Sequence, residues 1–96
     1  MLDGDRISDS ALRRYWEDDD PSGIRPDWRA KVWRILNALD VATSPRELAM
    51  PGYKFHRLTG DRRGTFSVLV NRNWRITFKW DDDGPYDVQL EDYHGR

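Results

Sequence analysis

The most constraining stretch of the chain is Tyr53–His94, where apolar and polar residues alternate and turn-forming residues recur at short intervals. Phe66, Val68 and Val70 fall on one face of a segment with a two-residue period. Trp74, Ile76, Phe78 and Trp80 then point one way, while Arg75, Thr77 and Lys79 point the other. That period belongs to strands with one buried face, because successive side chains of a strand alternate sides. Tyr53–Leu58 reads as a first strand, Thr59–Gly64 (TGDRRG) as a turn or loop, and Thr65–Val70 as a second strand. Asn71-Arg72-Asn73 turns the chain into Trp74–Trp80. Asp81–Pro85 (DDDGP) is a tight hairpin connection, and Tyr86–Leu90 returns with Tyr86, Val88 and Leu90 inward. Connections this short join antiparallel neighbours.

A sheet with one apolar face needs a cover, and the upstream half supplies it. Ser8 or Asp9 offers an N-cap oxygen for a helix with Leu12, Tyr15 and Trp16 on one stripe, ended by Asp18-Asp19-Asp20-Pro21-Ser22-Gly23. The acid run reads as a solvated loop. A second helix starts at Pro26, with Asp27 complementing its N-terminal dipole, and runs to about Leu39 or Val41. Trp28, Val32, Ile35, Leu36 and Leu39 form its core-facing stripe. Trp33 and Ala38 fall off that stripe and face the first helix or a partner. Ser44-Pro45-Arg46-Glu47 has the capping-box arrangement for one short helical turn. Met1–Ile7 is weakly patterned, either a ragged edge strand or an unordered start. The expectation is a single α+β domain over residues 1–96, with two N-terminal helices packed on one face of a mainly antiparallel four- or five-stranded sheet.

Composition narrows the chemistry. The chain has no cysteine, which excludes disulfides, thiolate metal sites and cysteine nucleophiles. It has neither a membrane-length apolar run nor a signal-peptide layout, so the expectation is a soluble cytoplasmic protein. Net charge is −1, yet it is unevenly spread. Residues 53–80 carry Lys54, Arg57, Arg62, Arg63, Arg72, Arg75 and Lys79 against Asp61 alone, a block of +6. Screening confines charge effects to about 8–10 Å, so a local basic field can hold phosphate whatever the total.

If the Trp74–Trp80 aromatics face the helices, Arg75 lies on the opposite surface, which Lys79 and, by the same parity, Lys54 and His56 share. Arginine holds phosphate by planar, bidentate hydrogen bonds. A lone strand histidine is usually structural or merely exposed. Here both histidines of the chain, His56 and His94, flank the strand series, and Asp92 stands beside His94. Imidazole titrates near ~6.5, so a pair can act as base and acid near neutral pH. Cleavage of an RNA phosphodiester suits such a set: a base takes the 2′-OH proton, an acid protonates the leaving 5′-oxygen, and cations hold the phosphorane charge. Asp92 would orient the His94 ring or stabilise its charge. Zinc is the rival reading, but two histidines at no recognised ligand spacing argue against any metal site, and nothing in the chain calls for a cofactor.

Several stretches together resemble HigB-type toxins of bacterial type II toxin–antitoxin systems, within the RelE-like superfamily. They are Ser22-Gly23-Ile24, Leu36–Ser44 (LNALDVATS), Pro51–Leu58 (PGYKFHRL), Gly60–Gly64 (GDRRG), Asn73–Phe78 (NWRITF), and Tyr86-Asp87 followed by Glu91–His94 (EDYH). They keep order and spacing from about Leu12 to His94. The resemblance implies a ribosome-dependent mRNA endoribonuclease that cuts translated mRNA in the ribosomal A site and slows growth. It implies restraint by a cognate helix-turn-helix antitoxin, with DNA met only through that antitoxin. The family's active-site residues fall on His56, Arg75, Asp92, Tyr93 and His94. Arg75 would steady the scissile phosphate, His56, Asp92 and His94 would share acid–base work, and Tyr93 would orient mRNA or a neighbouring side chain. Arg57, Arg62, Arg63 and Arg72 would contact ribosomal RNA.

The chain departs from the family pattern in three respects. Thr59 stands where relatives often carry Lys, the N-terminus is longer and more acidic, and the net charge is low for a ribosome-binding protein. Thr59 and the low net charge motivate a second expectation, a weakly active or inactive module of the same fold that binds antitoxin or RNA. A ribosome-independent nuclease is a third, disfavoured by so sparse a catalytic set.

Overall fold

The four strands form one meander, and its register explains which residues are buried. A computed structural model describes residues 1–92. Helix α1 (Ser10–Asp18) and helix α2 (Arg29–Val41) precede strands β1 (His56–Arg57), β2 (Phe66–Asn71), β3 (Trp74–Asp81) and β4 (Gly84–Asp92). The sheet order is β1-β2-β3-β4, every pair antiparallel.

Asp9 caps α1, its carboxylate accepting the Leu12 N–H at 2.9 Å, an interaction worth about 1 kcal/mol. The helix ends where Asp19 adopts a left-handed φ of 55°. A 3₁₀ turn at Pro26–Trp28 leads into α2, whose expected stripe of Trp28, Val32, Ile35, Leu36 and Leu39 is buried throughout. Both helices lie on the sheet face formed by Val68, Ile76, Phe78 and Val88, and the rings of Trp28 and Trp74 meet at 5.4 Å. Trp33 does meet the first helix, with ring centroids 4.9 Å from Tyr15 and 5.4 Å from Trp16.

Four local expectations are revised. Residues 1–7 add no fifth strand. A 3₁₀ turn covers Gly4–Arg6, and Ile7 makes a single parallel bridge to Val88 before the chain turns into α1. Leu2 is buried, its N–H donated to Asp40 and its carbonyl accepting the Trp16 indole N–H, both at 2.7 Å. The first strand shortens from Tyr53–Leu58 to His56–Arg57, because Lys54 takes a left-handed φ of 46° that breaks the extended run. Tyr86 does not point into the core. Asp87, at φ 50°, is the extra residue of a bulge between Thr77 and Lys79, so Tyr86 pairs with Lys79 and Pro85 takes the buried side opposite Trp80. Finally, Ser44 makes no side-chain cap. Glu47 instead accepts the Thr43 N–H at 2.9 Å and the Thr43 hydroxyl at 2.7 Å.

Candidate active site

The parity of β3 is as the alternation implies. Ile76 and Phe78 are fully buried toward the helices, and Arg75 and Thr77 project from the other face. On that face the register aligns His56, Ser67, Thr77 and Gln89 across all four strands, with Leu69, Arg75 and Glu91 forming the next row. Arg75 reaches between rows. Its Nη1 donates to the Ser67 hydroxyl at 3.1 Å and to the Lys54 carbonyl at 3.2 Å. Ser67 is in turn the register partner of His56. Arg75 and the exposed His56 therefore share one anchored patch.

Both Arg75 bonds use Nη1. Among the described residues its Nε and Nη2 donors have no partner, which leaves N–H groups in a planar fork for an anion. The left-handed backbone at Lys54, absent from any reading of strand alternation, is what turns the Lys54 carbonyl to Arg75. Ser67 is a supporting residue that sequence reasoning passed over. Its signal was its parity with Arg75 in a small, polar strand position.

The face is not open throughout. Ser67 and Thr77 are almost completely buried, as is Thr65, although all belong to the side away from the helices. The Thr59–Gly64 loop accounts for this. It holds itself together by main-chain bonds from Arg62 to Thr59, Arg63 to Gly60 and Thr65 to Arg62. Arg62 then reaches Glu91 with two parallel bonds of 3.0 and 2.7 Å, and the Thr77 hydroxyl donates to the same carboxylate. The Arg62 bonds, joined by that of Thr77, hold the Glu91 carboxyl below its ordinary value of 4.5 despite its partial burial. A carboxylate with a depressed folded pKa stabilises the fold above its unfolded value, and that contribution is lost as pH falls through the folded one. Glu91→Gln should therefore lose thermal stability less steeply than the unmodified protein as pH falls below 4.5, in melting curves taken from pH 6 to 3. Asp20, Glu47, Asp81 and Asp87 also titrate low, so the difference between the two curves isolates Glu91. Superimposable curves would remove Glu91 from the acid response.

The remaining candidates divide by environment. Lys54, Arg57, Arg63 and Arg72 are exposed and make no ion pair among the described residues. Arg57 lies in register with Phe66 on the helix side, its guanidinium 5.8 Å from that ring, so it faces away from His56. Arg72 holds a left-handed φ of 52° at the β2–β3 tip, and Trp74, two residues on, pairs with Asp92. Lys79 pairs with Asp87 at 3.6 Å. Asp92, exposed, ends β4 as the register partner of Trp74, so by strand parity it leaves the sheet on the helix side, one residue beyond Glu91 and opposite in parity to Arg75. Tyr93 and His94 lie outside the described residues. No group of three metal-binding side chains occurs among the described residues, and no described helix is long and apolar enough to cross a membrane. A groove of about 580 Å3 on the far side, lined by Trp33, Arg34, Asn37, Val41, Met50 and Tyr53 among others, gathers no imidazole or carboxylate.

An antiparallel meander roofed by two helices on one side, displaying a guanidinium and an imidazole on the other, has the layout of a RelE-like toxin. Residues 5–94 match the family described as RelE-like toxin of type II toxin–antitoxin system HigB, and the chain belongs to that family. It is 48% identical over 83 residues to Endoribonuclease HigB of Proteus vulgaris, covering 86% of this chain and 90% of that protein. It is 30% identical over 87 residues to Toxin HigB-1 of Vibrio cholerae serotype O1, covering 88% and 92%. Membership in a type II system implies a cognate antitoxin.

Proposed function

We propose that this HigB-type toxin, an endoribonuclease like its Proteus vulgaris relative, cuts mRNA in the ribosomal A site while it is being translated. The observation that carries the reading is the Arg75 fork, held by Ser67 and the Lys54 carbonyl beside His56, with donors left over for a phosphate. In the reaction a base removes the 2′-OH proton, the 2′-oxygen attacks phosphorus, and the bond to the 5′-oxygen breaks. An acid protonates that leaving oxygen, giving a 2′,3′-cyclic phosphate and a 5′-hydroxyl. Arg75 holds the non-bridging oxygens as charge builds on them. His56, Asp92 and His94 share the proton transfers, and Tyr93 orients mRNA or a neighbouring ring. Because so few groups do the chemistry, alignment of the 2′-oxygen with the scissile bond must come from the ribosome. Arg57, Arg63, Arg72 and Lys54 supply the ribosomal RNA contacts, and a helix-turn-helix antitoxin restrains the whole.

Primer extension on translated mRNA tests this. Induction without antitoxin should produce discrete, codon-linked cuts, and purified protein should leave naked RNA largely intact. Growth arrest without any cuts would favour a pure binding module, and rapid cutting of naked RNA would exclude ribosome dependence.

A further inference from the structure

Glu91 is the in-register neighbour of Arg75, so the two side chains leave the same sheet face about 5 Å apart at their origins. A carboxylate in that position is a natural captor for the guanidinium. It would compete with a substrate phosphate for the same donors. Yet no ion pair joins them. Glu91 instead accepts two bonds from Arg62 and one from Thr77, and among the described residues Arg75 bonds only to neutral oxygens, the Ser67 hydroxyl and the Lys54 carbonyl. Three bonds occupy most of what a carboxylate can accept, and the paired Arg62 contact fixes its plane.

We propose that Arg62 is a positioning residue that ties up Glu91 and so keeps Arg75 available for the scissile phosphate. This role rests on the endoribonuclease reading and replaces the direct ribosomal RNA contact that the family resemblance implies for Arg62. The loop is built for it. Gly60 and Gly64 take left-handed φ values of 66° and 91° at its two ends, letting so short a segment fold back across the sheet to β4. Without Arg62, Glu91 turns to the nearest cation in its own row, Arg75, and the fork is neutralised before RNA arrives.

The discriminating experiment compares Arg62→Gln, Glu91→Gln and the double variant in single-turnover cleavage of ribosome-bound mRNA. Arg62→Gln should slow the chemical step about tenfold at saturating ribosome, a fraction of the roughly 10²–10³ lost when a transition-state donor is removed outright. Adding Glu91→Gln to it should restore most of that loss, since no carboxylate is left to capture Arg75. If the double variant is as slow as Arg62→Gln or slower, or if Arg62→Gln raises only the half-saturating ribosome concentration, the proposal fails and Arg62 is an RNA contact. A readout independent of cleavage is the Arg75 Nε–H resonance, assigned by its loss in Arg75→Lys. It should shift in Arg62→Gln and return in the double variant, and an unmoved resonance in Arg62→Gln overturns the proposal. If Arg62→Gln does not fold, Arg62→Lys carries the same comparison, because it keeps the charge and loses the paired geometry. Failure of the unmodified protein to cut would count against the nuclease reading alone, and the resonance would still decide the Arg62 role.

Discussion

Arg75→Ala should slow cleavage of translated mRNA by about 100- to 1,000-fold, the range for removing one preorganised donor from a developing anion, or roughly 2.7–4 kcal/mol. Arg75 spends one nitrogen on its anchors and has no other partner among the described residues, so truncation removes the anion's donors while leaving the core untouched. The main structural cost falls on the buried Ser67 hydroxyl, which loses the donor it accepts from, about 1 kcal/mol, while water replaces the bond to the exposed Lys54 carbonyl. The variant should accumulate normally and no longer arrest growth without antitoxin. Equal arrest at matched abundance would remove Arg75 from the chemistry.

Phe78→Ala should produce loss of toxicity by a different route. Phe78 is fully buried, with ring centroids 5.6 Å from Phe66 and 6.3 Å from Trp80, at the centre of the face that the helices cover. Truncating a buried phenylalanine costs about 3–5 kcal/mol, out of the roughly 5–15 kcal/mol that holds a small domain together. For a chain of this size each kcal/mol lowers the melting temperature by about 4–8 °C, so a drop of at least about 12 °C is expected. Thermal unfolding of the purified protein measures it, and a shift of only a few degrees would mean that the core does not centre on β3. The two variants separate chemistry from folding: Arg75→Ala is inert but abundant, and Phe78→Ala is depleted.

Where the backbone stays regular, local periodicity was legible in the sequence. The β3 alternation puts Ile76 and Phe78 in the core and Arg75 outside it, and the α2 stripe is buried residue for residue. What escaped depends on single backbone angles or on partners distant in the chain. The bulge at Asp87 moves Tyr86 out of the core position its alternation implies, and the left-handed Lys54 both shortens β1 and turns a carbonyl toward Arg75. No pattern in the chain marks either angle: Asp visits the left-handed region more readily than most residues but does so at few of its positions, Lys rarely does, and tertiary contacts decide. The Arg62–Glu91 pair spans 29 residues and follows from the β3–β4 register, which leaves Glu91 beside Arg75. By composition Arg62 is simply one cation of the +6 block, and the fold gives it a carboxylate.

The central claim is that the open sheet face drives attack by a 2′-hydroxyl on the adjoining phosphate. Its most direct test is a ribosome-bound mRNA carrying a single 2′-deoxy nucleotide immediately 5′ to a mapped cut. That cut should disappear while cuts elsewhere in the message persist, and the all-ribose control should yield fragments ending in 2′,3′-cyclic phosphate and beginning with 5′-hydroxyl. Undiminished cleavage at the deoxy position, or a 5′-phosphate on the downstream fragment, would contradict it.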